Sequence, residues 1–287
     1  MTTTTPTPIV TDPSCQDDSD PTSLSVAEAQ SRILAAVRPV SGRETVALRE
    51  ALGRVLAEPV RSGLDVPAHT NSAMDGYAVR AADLAATGEH RLRVVGTSFA
   101  GHPHSGPVGE NACVRIMTGA VMPKGTDTVV IQEQVEASGE TIRLAGGIRA
   151  GDNVRAAGED IAAGDVVLEP GHRVSAADLG LLASLGIVEL RVFRRLRVAF
   201  FSTGDELRSL GEVLGPGEIY DSNRYTLYGM LRRMYGDIVD MGVVVDEPEA
   251  VRSAFLEAAA AADVIISSGG VSVGEADYIK AMLNEVG

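Results

Sequence analysis

The chain has 287 residues, enough for two domains of roughly 150 residues each, and 45% apolar residues, enough to build buried cores. Its formal net charge of -14 argues against a nucleic-acid or anionic-membrane partner, because both need a basic protein surface. A phosphate site would therefore depend on backbone N–H groups, a few well-placed basic side chains or a metal ion.

The only cysteines are Cys15, in a polar stretch, and Cys113, in an apolar run. No C-x-x-C motif is present, so the sequence predicts neither a structural zinc site nor a disulfide framework. This usage is typical of a reducing cytoplasm. The N-terminus lacks the pattern of a signal peptide, and no apolar run reaches the roughly 18 to 20 residues of a membrane span. We therefore expect a cytoplasmic protein.

Residues 1–22 are rich in Thr, Pro and Asp without a basic residue, which predicts a disordered acidic tail. The stretch "SVAEAQSRILAAV" then predicts a helix that opens with a capping box of Ser25 and Glu28. Its apolar face is formed by Val26, Ile33 and Val37. We expect a second helix over 45–57, "TVALREALGRVLA", after a turn at Gly42.

From about 63 to 173, short alternating runs such as "LRVVGTSFA" and "TVVIQEQVE" are separated by glycine-rich turns. This pattern predicts an all-β region, either a small barrel or a sandwich. In "HTNSAMDGYAVR", Asp75 lies between a polar turn and an apolar strand. On local grounds a turn-capping carboxylate is favoured over a functional one. The segment "GHPHSG", with His102 and His104, is typical of a surface turn more than of a metal site.

The last third alternates apolar strands with helices. The strands are "RLRVAFFS" (195–202), "DIVDMGVVV" and "DVIISS" (263–268). The helices are "NRYTLYGMLRRMYG", with Leu227, Met230, Leu231 and Met234 on one face and Gly236 as its stop, "EPEAVRSAFLEAAAA", with Pro248 in its first turn, and "EADYIKAMLNEVG". Such alternation predicts a parallel sheet covered by helices on both faces. The sequence ends where a fourth strand is expected, so we predict an incomplete α/β domain.

Ligands of such sheets bind beyond the carboxyl ends of the strands. The residues found there are Ser202, Thr203, Gly204, Asp205 and Glu206 after the first strand, Asp246 after the second, and Ser267, Ser268, Gly269 and Gly270, leading to Glu275 and Asp277, after the third. Carboxylates beside an anion-binding turn repel an anion unless a divalent cation bridges them, which favours Mg²⁺ and a phosphate. The alternative is that Asp205 and Asp246 cap helices and Glu206 lies in a first helical turn.

Other ligand motifs are weaker here. "GGVSVGEAD" lacks the G-K-[ST] of a P-loop, and "STGDE" is not a G-x-S-x-G nucleophile elbow. A serine-hydrolase site also needs a histidine, and the last one, His172, precedes this region. The glycines do not form G-x-G-x-x-G after a strand.

Six stretches together carry a family resemblance: "NSAMDGYAVR", "RIMTGAVMPKGTDTVVIQEQ", "GEDI", "FSTGDEL", "IYDSNRY" and "SSGGVSVGEADY". They are similar to the MoeA family of molybdopterin molybdotransferases and to the related gephyrin E domain, from about residue 24 to 287. The resemblance implies Mg²⁺-dependent insertion of molybdate into the dithiolene of adenylylated molybdopterin, with release of AMP. It also implies a homodimer and a molybdopterin adenylyltransferase as upstream donor.

The resemblance further implies a multidomain fold that combines α/β and all-β parts. A linking domain would comprise 23–62 plus 147–175, with a β domain inserted at 63–146. An incomplete three-layer molybdopterin-binding α/β domain would occupy 176–287. In the family the active cleft lies between the α/β domain of one subunit and the β domain of the other.

Site residues are implied position by position. Catalytic roles fall on Asp75, Thr118, Asp160, Glu206, Asp246 and Asp277, of which the last three are also the implied Mg²⁺ ligands. Cofactor binding falls on Ser202, Thr203, Gly204, Asp221, Asn223, Ser268, Gly269 and Gly270. The family's "PGKP" and "GLPGNP" segments and its C-terminal barrel domain are not in this sequence. A non-catalytic molybdopterin-binding or scaffold module, or an inactive truncated fragment, is therefore the alternative.

Overall fold

The computed structural model describes residues 24–84 and 88–269. The chain divides into two compact units, a central unit of Thr45–Arg191 and an α/β unit of residues up to Glu44 and from Val192 onward. The predicted acidic tail, the predicted helix "EADYIKAMLNEVG" and the candidate site residues Gly270 and Asp277 lie outside the described residues.

The strands are, in chain order, β1 Arg43–Ala47, β2 Val60–Arg61, β3 Asn71–Ser72, β4 Gly76–Val79, β5 Glu89–Ser98, β6 Ala112–Ile116, β7 Thr128–Ile131, β8 Val135–Ser138, β9 Thr141–Ala145, β10 Val154–Arg155, β11 Val166–Leu168, β12 Glu189–Phe193, β13 Arg197–Thr203, β14 Leu207–Arg208, β15 Ile219–Tyr220, β16 Asp237–Val244 and β17 Val264–Ser268. The α-helices are α1 Val26–Ala36, α2 Ala176–Ser184, α3 Ser222–Arg233 and α4 Pro248–Ala261. None of the helices in the described ranges is long and apolar enough to cross a membrane.

Helix α1 begins as predicted, because the Ser25 hydroxyl accepts a hydrogen bond from the Glu28 N–H at 3.2 Å. Its apolar face is not buried within the described part of the chain. Val26 is 86% exposed, and Ile33 and Val37 are each 62% exposed.

The second predicted helix, over 45–57, is wrong. The chain instead forms β1 to Ala47, a single 3₁₀ turn at Leu48–Glu50 and a turn in which Gly53 has φ of +74°. Backbone amides of this segment bond to distant parts of the chain, since Leu48 N–H donates to the Val188 carbonyl and Gly53 N–H to the Val174 carbonyl. Tertiary backbone pairing therefore overrides the helical apolar pattern.

The all-β prediction for about 63–173 is confirmed in the described residues, where six strands form one sheet in the order β7-β4-β6-β5-β9-β8. It is a single sheet with edge strands β7 and β8, rather than a barrel or a two-sheet sandwich. Only β5 and β6 run parallel. Both faces are packed, since Tyr77 and Val79 join one buried cluster and Ala78 joins another. Burial of the Cys113 thiol in the first cluster raises its pKa to about 12, so it stays protonated.

Two short ladders tie the later part of the central unit to its beginning. Strand β10 pairs with β3, which places Arg155 opposite Asn71, and β11 pairs with β2. The segment "GHPHSG" begins in a turn, residues 99–102, that is closed by backbone hydrogen bonds of 3.0 Å in both directions between Phe99 and His102.

Helix α2 is capped by a reciprocal pair. The Ser175 hydroxyl accepts from the Asp178 N–H, and Asp178 Oδ2 accepts from the Ser175 N–H at 2.7 Å. The same Oδ2 lies 2.7 Å from His172 Nε2. The bond to His172 and then the bond to the Ser175 N–H lower the pKa of Asp178 to about 2.

This carboxyl predicts a pH dependence of stability. Its folded pKa of about 2 lies below its ordinary value of 3.8, so its stabilisation is complete above pH 4 and is lost as the pH falls toward 2. We expect Asp178→Asn to have a lower free energy of unfolding than the unsubstituted chain at pH 5. The difference should shrink to near zero at pH 2. Denaturant unfolding at both pH values measures it, and an unchanged difference would contradict the assignment.

The α/β unit is built as predicted on three parallel strands in the order β16-β13-β17. Helix α3 packs on one face, where Leu231 joins Val198 and Phe200. Helix α4 packs on the other face, where Phe255 meets Phe201 edge-on with ring centroids 5.1 Å apart.

Two details of α3 differ from the prediction. The helix ends before Gly236, because Met234 is the C-cap and Tyr235 takes the left-handed turn with φ of +60°. Gly236 instead lies against β13, where an added Cβ would be 3.1 Å from the Leu196 carbonyl oxygen. Only Leu227 and Leu231 of the predicted apolar face pack on the sheet, whereas Met230 and Met234 are 60% and 67% exposed.

Candidate functional site

The first group of candidate residues lies in the central unit, around Asp75. Asp75 follows a tight turn closed by the Ser72 hydroxyl, which donates to the Met74 carbonyl at 2.6 Å. Asp75 Oδ1 accepts two hydrogen bonds from Thr118, from its N–H at 2.7 Å and its hydroxyl at 2.8 Å. The structure thus brings together two residues 43 positions apart that the resemblance assigns to one cleft.

These bonds determine the charge of Asp75. The Thr118 N–H, the Thr118 hydroxyl and, to a lesser degree, the charge of Arg115 hold the pKa of Asp75 below its ordinary value. Asp75 is therefore ionised at neutral pH. Both of its bonds use Oδ1, so Oδ2 is left to accept from another group.

Gly76 explains why a glycine must follow this aspartate. Strand β4 begins there, between β6 and β7, and a Cβ at this position would lie 2.1 Å from the Val130 carbonyl oxygen. No side chain fits at that distance, because the atom in the way belongs to the backbone of β7.

Two of the quoted motifs, "NSAMDGYAVR" and "RIMTGAVMPKGTDTVVIQEQ", meet at segment 70–73, which also contacts the start of the strand leading to a third, "GEDI". Ser72 exchanges backbone hydrogen bonds with Ala120 and Gly119, and Ala73 N–H donates to the Asn153 carbonyl. Strand β10 then leads to Asp160, which accepts from Arg155 Nη2 at 2.5 Å. Asp160 is half exposed and joins the group through this strand pairing rather than through a hydrogen bond to Asp75.

Arg115 is a residue that the sequence reasoning did not single out. It lies on β6 opposite Tyr77 on β4. Its guanidinium donates to the Tyr77 hydroxyl at 3.0 Å and to Gln132 Oε1 at 3.1 Å. The sequence feature that could have identified Arg115 is its position in "RIMTG", on the strand that leads to Thr118.

The second group lies in the α/β unit, where a cavity of about 180 Å³ opens at the carboxyl ends of β13 and β17. Its wall includes six of the predicted residues: Thr203, Glu206, Asp221, Asn223, Ser268 and Gly269. Asn223 Nδ2 reaches Ser268 Oγ at 3.4 Å across this cavity wall. The cavity thus brings these six residues together, whereas Ser202 is fully buried within β13.

Two glycines lie at these strand ends, Gly269 in the wall of this cavity and Gly204 in the wall of a neighbouring, wider opening. Gly269 has φ of +116°, and an added Cβ would lie 2.5 Å from the Thr203 carbonyl oxygen. Gly204 has φ of +153°, and its Cβ would lie 2.7 Å from Glu206 Oε2. These positions require glycine, and they leave backbone polar groups accessible to a ligand.

Asp221 has a structural role that is visible here. It is only 3% exposed, and its Oδ1 caps α3 by accepting from the Arg224 N–H at 3.0 Å. Within the described part of the chain, Asp221 Oδ2 and Ser202 Oγ are buried without a hydrogen-bond partner. Whether either group contacts a ligand stays a prediction.

The helix-capping alternatives for the strand-end carboxylates are wrong. After β13 the chain turns through Asp205 and Glu206 into β14, without a helix there. Helix α4 is capped by Glu247, one residue beyond Asp246. Asp205 instead borders a second, wider opening of about 750 Å³, which is also lined by Arg208, Ser209 and Val245.

The described residues do not bring the predicted Mg²⁺ ligands Glu206 and Asp246 to one cavity, and Asp277 lies outside the described residues. Across residues 24–84 and 88–269, no three His, Cys, Asp or Glu side chains come close enough to hold a metal ion. Glu206 lines the smaller cavity, and Asp246 lines neither cavity. One carboxylate fits Mg²⁺ only together with oxygens of a bound phosphate, which is a common arrangement for this ion.

The fold and these two groups define a class of protein, namely a β-sheet unit joined in sequence to a parallel α/β unit with a glycine-lined polar cavity at its strand ends. Comparison with known families makes this specific. Residues 24–186 match the MoeA N-terminal region (domain I and II), and residues 199–287 match a probable molybdopterin binding domain. The chain belongs to the MoeA family.

Named relatives agree with the family. A molybdopterin molybdenumtransferase of Haemophilus influenzae is 44% identical over 265 residues, which cover 92% of this chain and 65% of that protein. Gephyrin of Dictyostelium discoideum is 33% identical over 85% of this chain and 37% of its own length. A crystal structure titled molybdopterin biosynthesis MoeA protein from Pyrococcus horikosii matches with a TM-score of 0.77 and 32% identity, over 89% of this chain and 65% of that one. The chain thus spans less than two thirds of these proteins.

Proposed function

We propose that this chain is part of a molybdopterin molybdenumtransferase, which inserts molybdate into the dithiolene of adenylylated molybdopterin and releases AMP. The observation that carries the proposal is the Asp75–Thr118 pair, found in a chain that is 44% identical to a protein of that name. The glycine-lined cavity of the α/β unit supports it. In this reaction the cofactor brings its own sulfur atoms, so the protein needs no thiolate, in agreement with the protonated Cys113.

The proposed roles follow the chemistry of the side chains. Ser268, Asn223 and the backbone at Gly269 would bind the phosphate of the pterin by hydrogen bonds, because glycine allows a close approach. Mg²⁺, when bound, would neutralise phosphate charge, and Glu206, which lines the cavity, would hold it. Ionised Asp75 would accept a proton or a hydrogen bond at Oδ2.

The domain arrangement and assembly belong to the same proposal. It includes the linking domain of 23–62 plus 147–175, the inserted β domain of 63–146, and the three-layer α/β domain from 176. It also includes catalytic roles for Asp160, Asp246 and Asp277, a homodimer with a cleft shared between subunits, a cytoplasmic location and a molybdopterin adenylyltransferase as donor.

A second candidate is a non-catalytic module that binds molybdopterin or a partner protein. The identity of 33% to gephyrin favours it. The two candidates predict the same ligand but different turnover.

Release of AMP from adenylylated molybdopterin separates them. We expect this chain, extended by the further residues of its parent protein where these exist, to release AMP in a reaction that requires both molybdate and Mg²⁺. Omitting each in turn provides the controls. Pterin binding without molybdate-dependent release of AMP would reject the transferase and favour the binding module.

A further inference from the structure

Three neighbouring strands of the six-stranded sheet bring polar side chains to one edge. Asp75 precedes β4, Thr118 follows β6 and Gln132 follows β7. Because β4 is antiparallel to both neighbours, these three positions converge at the same end of the sheet. Arg115 is the second-to-last residue of β6, next to this edge, and its guanidinium donates to Tyr77 of β4 and to Gln132 after β7.

The guanidinium of Arg115 is oriented without being neutralised. Its hydrogen bonds within the described residues go to a phenol and a carboxamide, both uncharged. Gln132 is itself fixed, because its Nε2 donates to Glu133 Oε1 at 3.2 Å and its Oε1 thereby faces Arg115. The cation also lies over the Tyr77 ring, 5.5 Å from its centroid.

Other arginines of the central unit are used differently. Arg143 is paired with Glu89, and Arg155 with Glu159 and Asp160. Such pairing cancels the charge and occupies the N–H groups that face a carboxylate. A guanidinium has five N–H donors, so two neutral acceptors leave three available on Arg115.

The nearby carboxylate does not use these donors. Asp75 Oδ1 accepts its hydrogen bonds from Thr118, and the Asp75 oxygens are not within ion-pair distance of Arg115. The positive charge of Arg115 nevertheless contributes to keeping Asp75 ionised. The Arg115 guanidinium therefore has N–H groups free to donate, and it lies near Asp75, whose Oδ2 is free to accept. The ligand that matches a guanidinium best is one with several anionic oxygens.

We propose that Arg115 binds a tetrahedral oxyanion at this edge of the sheet, which is either molybdate or a phosphoryl group of the nucleotide-bearing substrate. The identity of the ligand rests on the proposed function, whereas the site rests on the geometry of Arg115, Tyr77 and Gln132. Arg115 supplies charge and a bidentate hydrogen-bonding surface, and Tyr77 and Gln132 hold its plane. Asp75 lies alongside as the group that receives a proton or hydrogen bond from the bound species.

Binding of small probes to the folded chain tests this site separately from turnover. Titration calorimetry with molybdate, inorganic phosphate and AMP would compare the unsubstituted chain with Arg115→Gln and Arg115→Lys. We expect Arg115→Gln to weaken binding of the preferred probe by about tenfold to a hundredfold, the size of a lost charged hydrogen bond. Arg115→Lys should recover part of this loss, since it restores charge but not the fork. Preference for molybdate over phosphate and AMP identifies metal oxyanion as the ligand, and the reverse identifies a phosphoryl group.

Two further variants exclude a merely structural role. Arg91→Gln removes an exposed arginine from β5 of the same sheet and should leave binding of every probe unchanged. Asp75→Asn should strengthen binding of the anion by about threefold, because it removes a neighbouring negative charge. Unfolding curves would establish that all variants are folded at the titration temperature. The inference is overturned if no probe binds the unsubstituted chain, or if Arg115→Gln binds as tightly as Arg91→Gln. The second result would leave AMP release, and hence the proposed function, untouched.

Discussion

Asp75→Asn is expected to reduce molybdate-dependent release of AMP by a factor of about 10² to 10³, with the fold unchanged. The substitution is nearly isosteric. The amide oxygen of Asn can still accept both bonds from Thr118, at the positions where Oδ1 now accepts at 2.7 and 2.8 Å. What is lost is the negative charge and the acceptor capacity of Oδ2, so activity and stability should separate. Steady-state AMP release and thermal unfolding of the same preparations measure the two effects.

The chain offers a matched control in Asp127. Its Oδ1 also accepts one backbone N–H, from Ala81, and one threonine hydroxyl, from Thr128, each at 2.8 Å. Asp127 precedes β7 and therefore lies at the opposite end of the sheet from Asp75. Asp127→Asn should retain AMP release within about twofold.

The outcomes discriminate between the two functional candidates. If Asp75→Asn retained activity close to that of Asp127→Asn, Asp75 would be a turn residue, as its local sequence indicates. If the variant bound oxyanion more tightly yet released no AMP, the charge of Asp75 would act on the reaction rather than on binding. A variant that lost both the fold and the activity would show that Thr118 needs a charged acceptor.

The sequence predicted the α/β unit better than the central unit, and the reason is physical. In the α/β unit, strands such as β13 are continuous apolar runs, and α4 has a proline at its first position, so local signals and tertiary packing agree. In segment 45–57 they disagree. The apolar spacing is helical, but the amides of Leu48 and Gly53 pair with distant carbonyls. Such pairings involve partners more than 100 residues away, and no local pattern records them.

The candidate site divides in the same way. The strand-end residues of the α/β unit were predictable, because parallel strands bring their carboxyl ends to one edge. The Asp75–Thr118 contact was not predictable from spacing and came only through resemblance to a family. Neither the spacing of residues nor the family resemblance identified Arg115. Its interest lies in its uncharged partners, which come from β4 and from the turn after β7.

Gly76→Ala is expected to lower the free energy of unfolding by at least about 3 kcal/mol. The added methyl would lie 2.1 Å from the Val130 carbonyl oxygen and 2.9 Å from the Val130 carbonyl carbon. Neither atom can yield, because Val130 is paired with Tyr77 in the ladder between β4 and β7, and both residues are buried. Relief of the clash would require the edge strand β7 to separate from β4.

Gly109→Ala is the matched control, since that position has open space around an added Cβ and no left-handed φ. Urea unfolding of the two variants should show a loss for Gly76→Ala alone, and equal midpoints would disprove the close approach of β4 and β7. The same contact accounts for the order of residues in "MDG". Gln132 N–H donates to the Asp75 carbonyl at 3.1 Å, so the backbone of Asp75 is held against the end of β7 just where Gly76 must pass Val130. The glycine allows the strands to meet, and their meeting fixes the backbone from which the Asp75 carboxylate reaches Thr118.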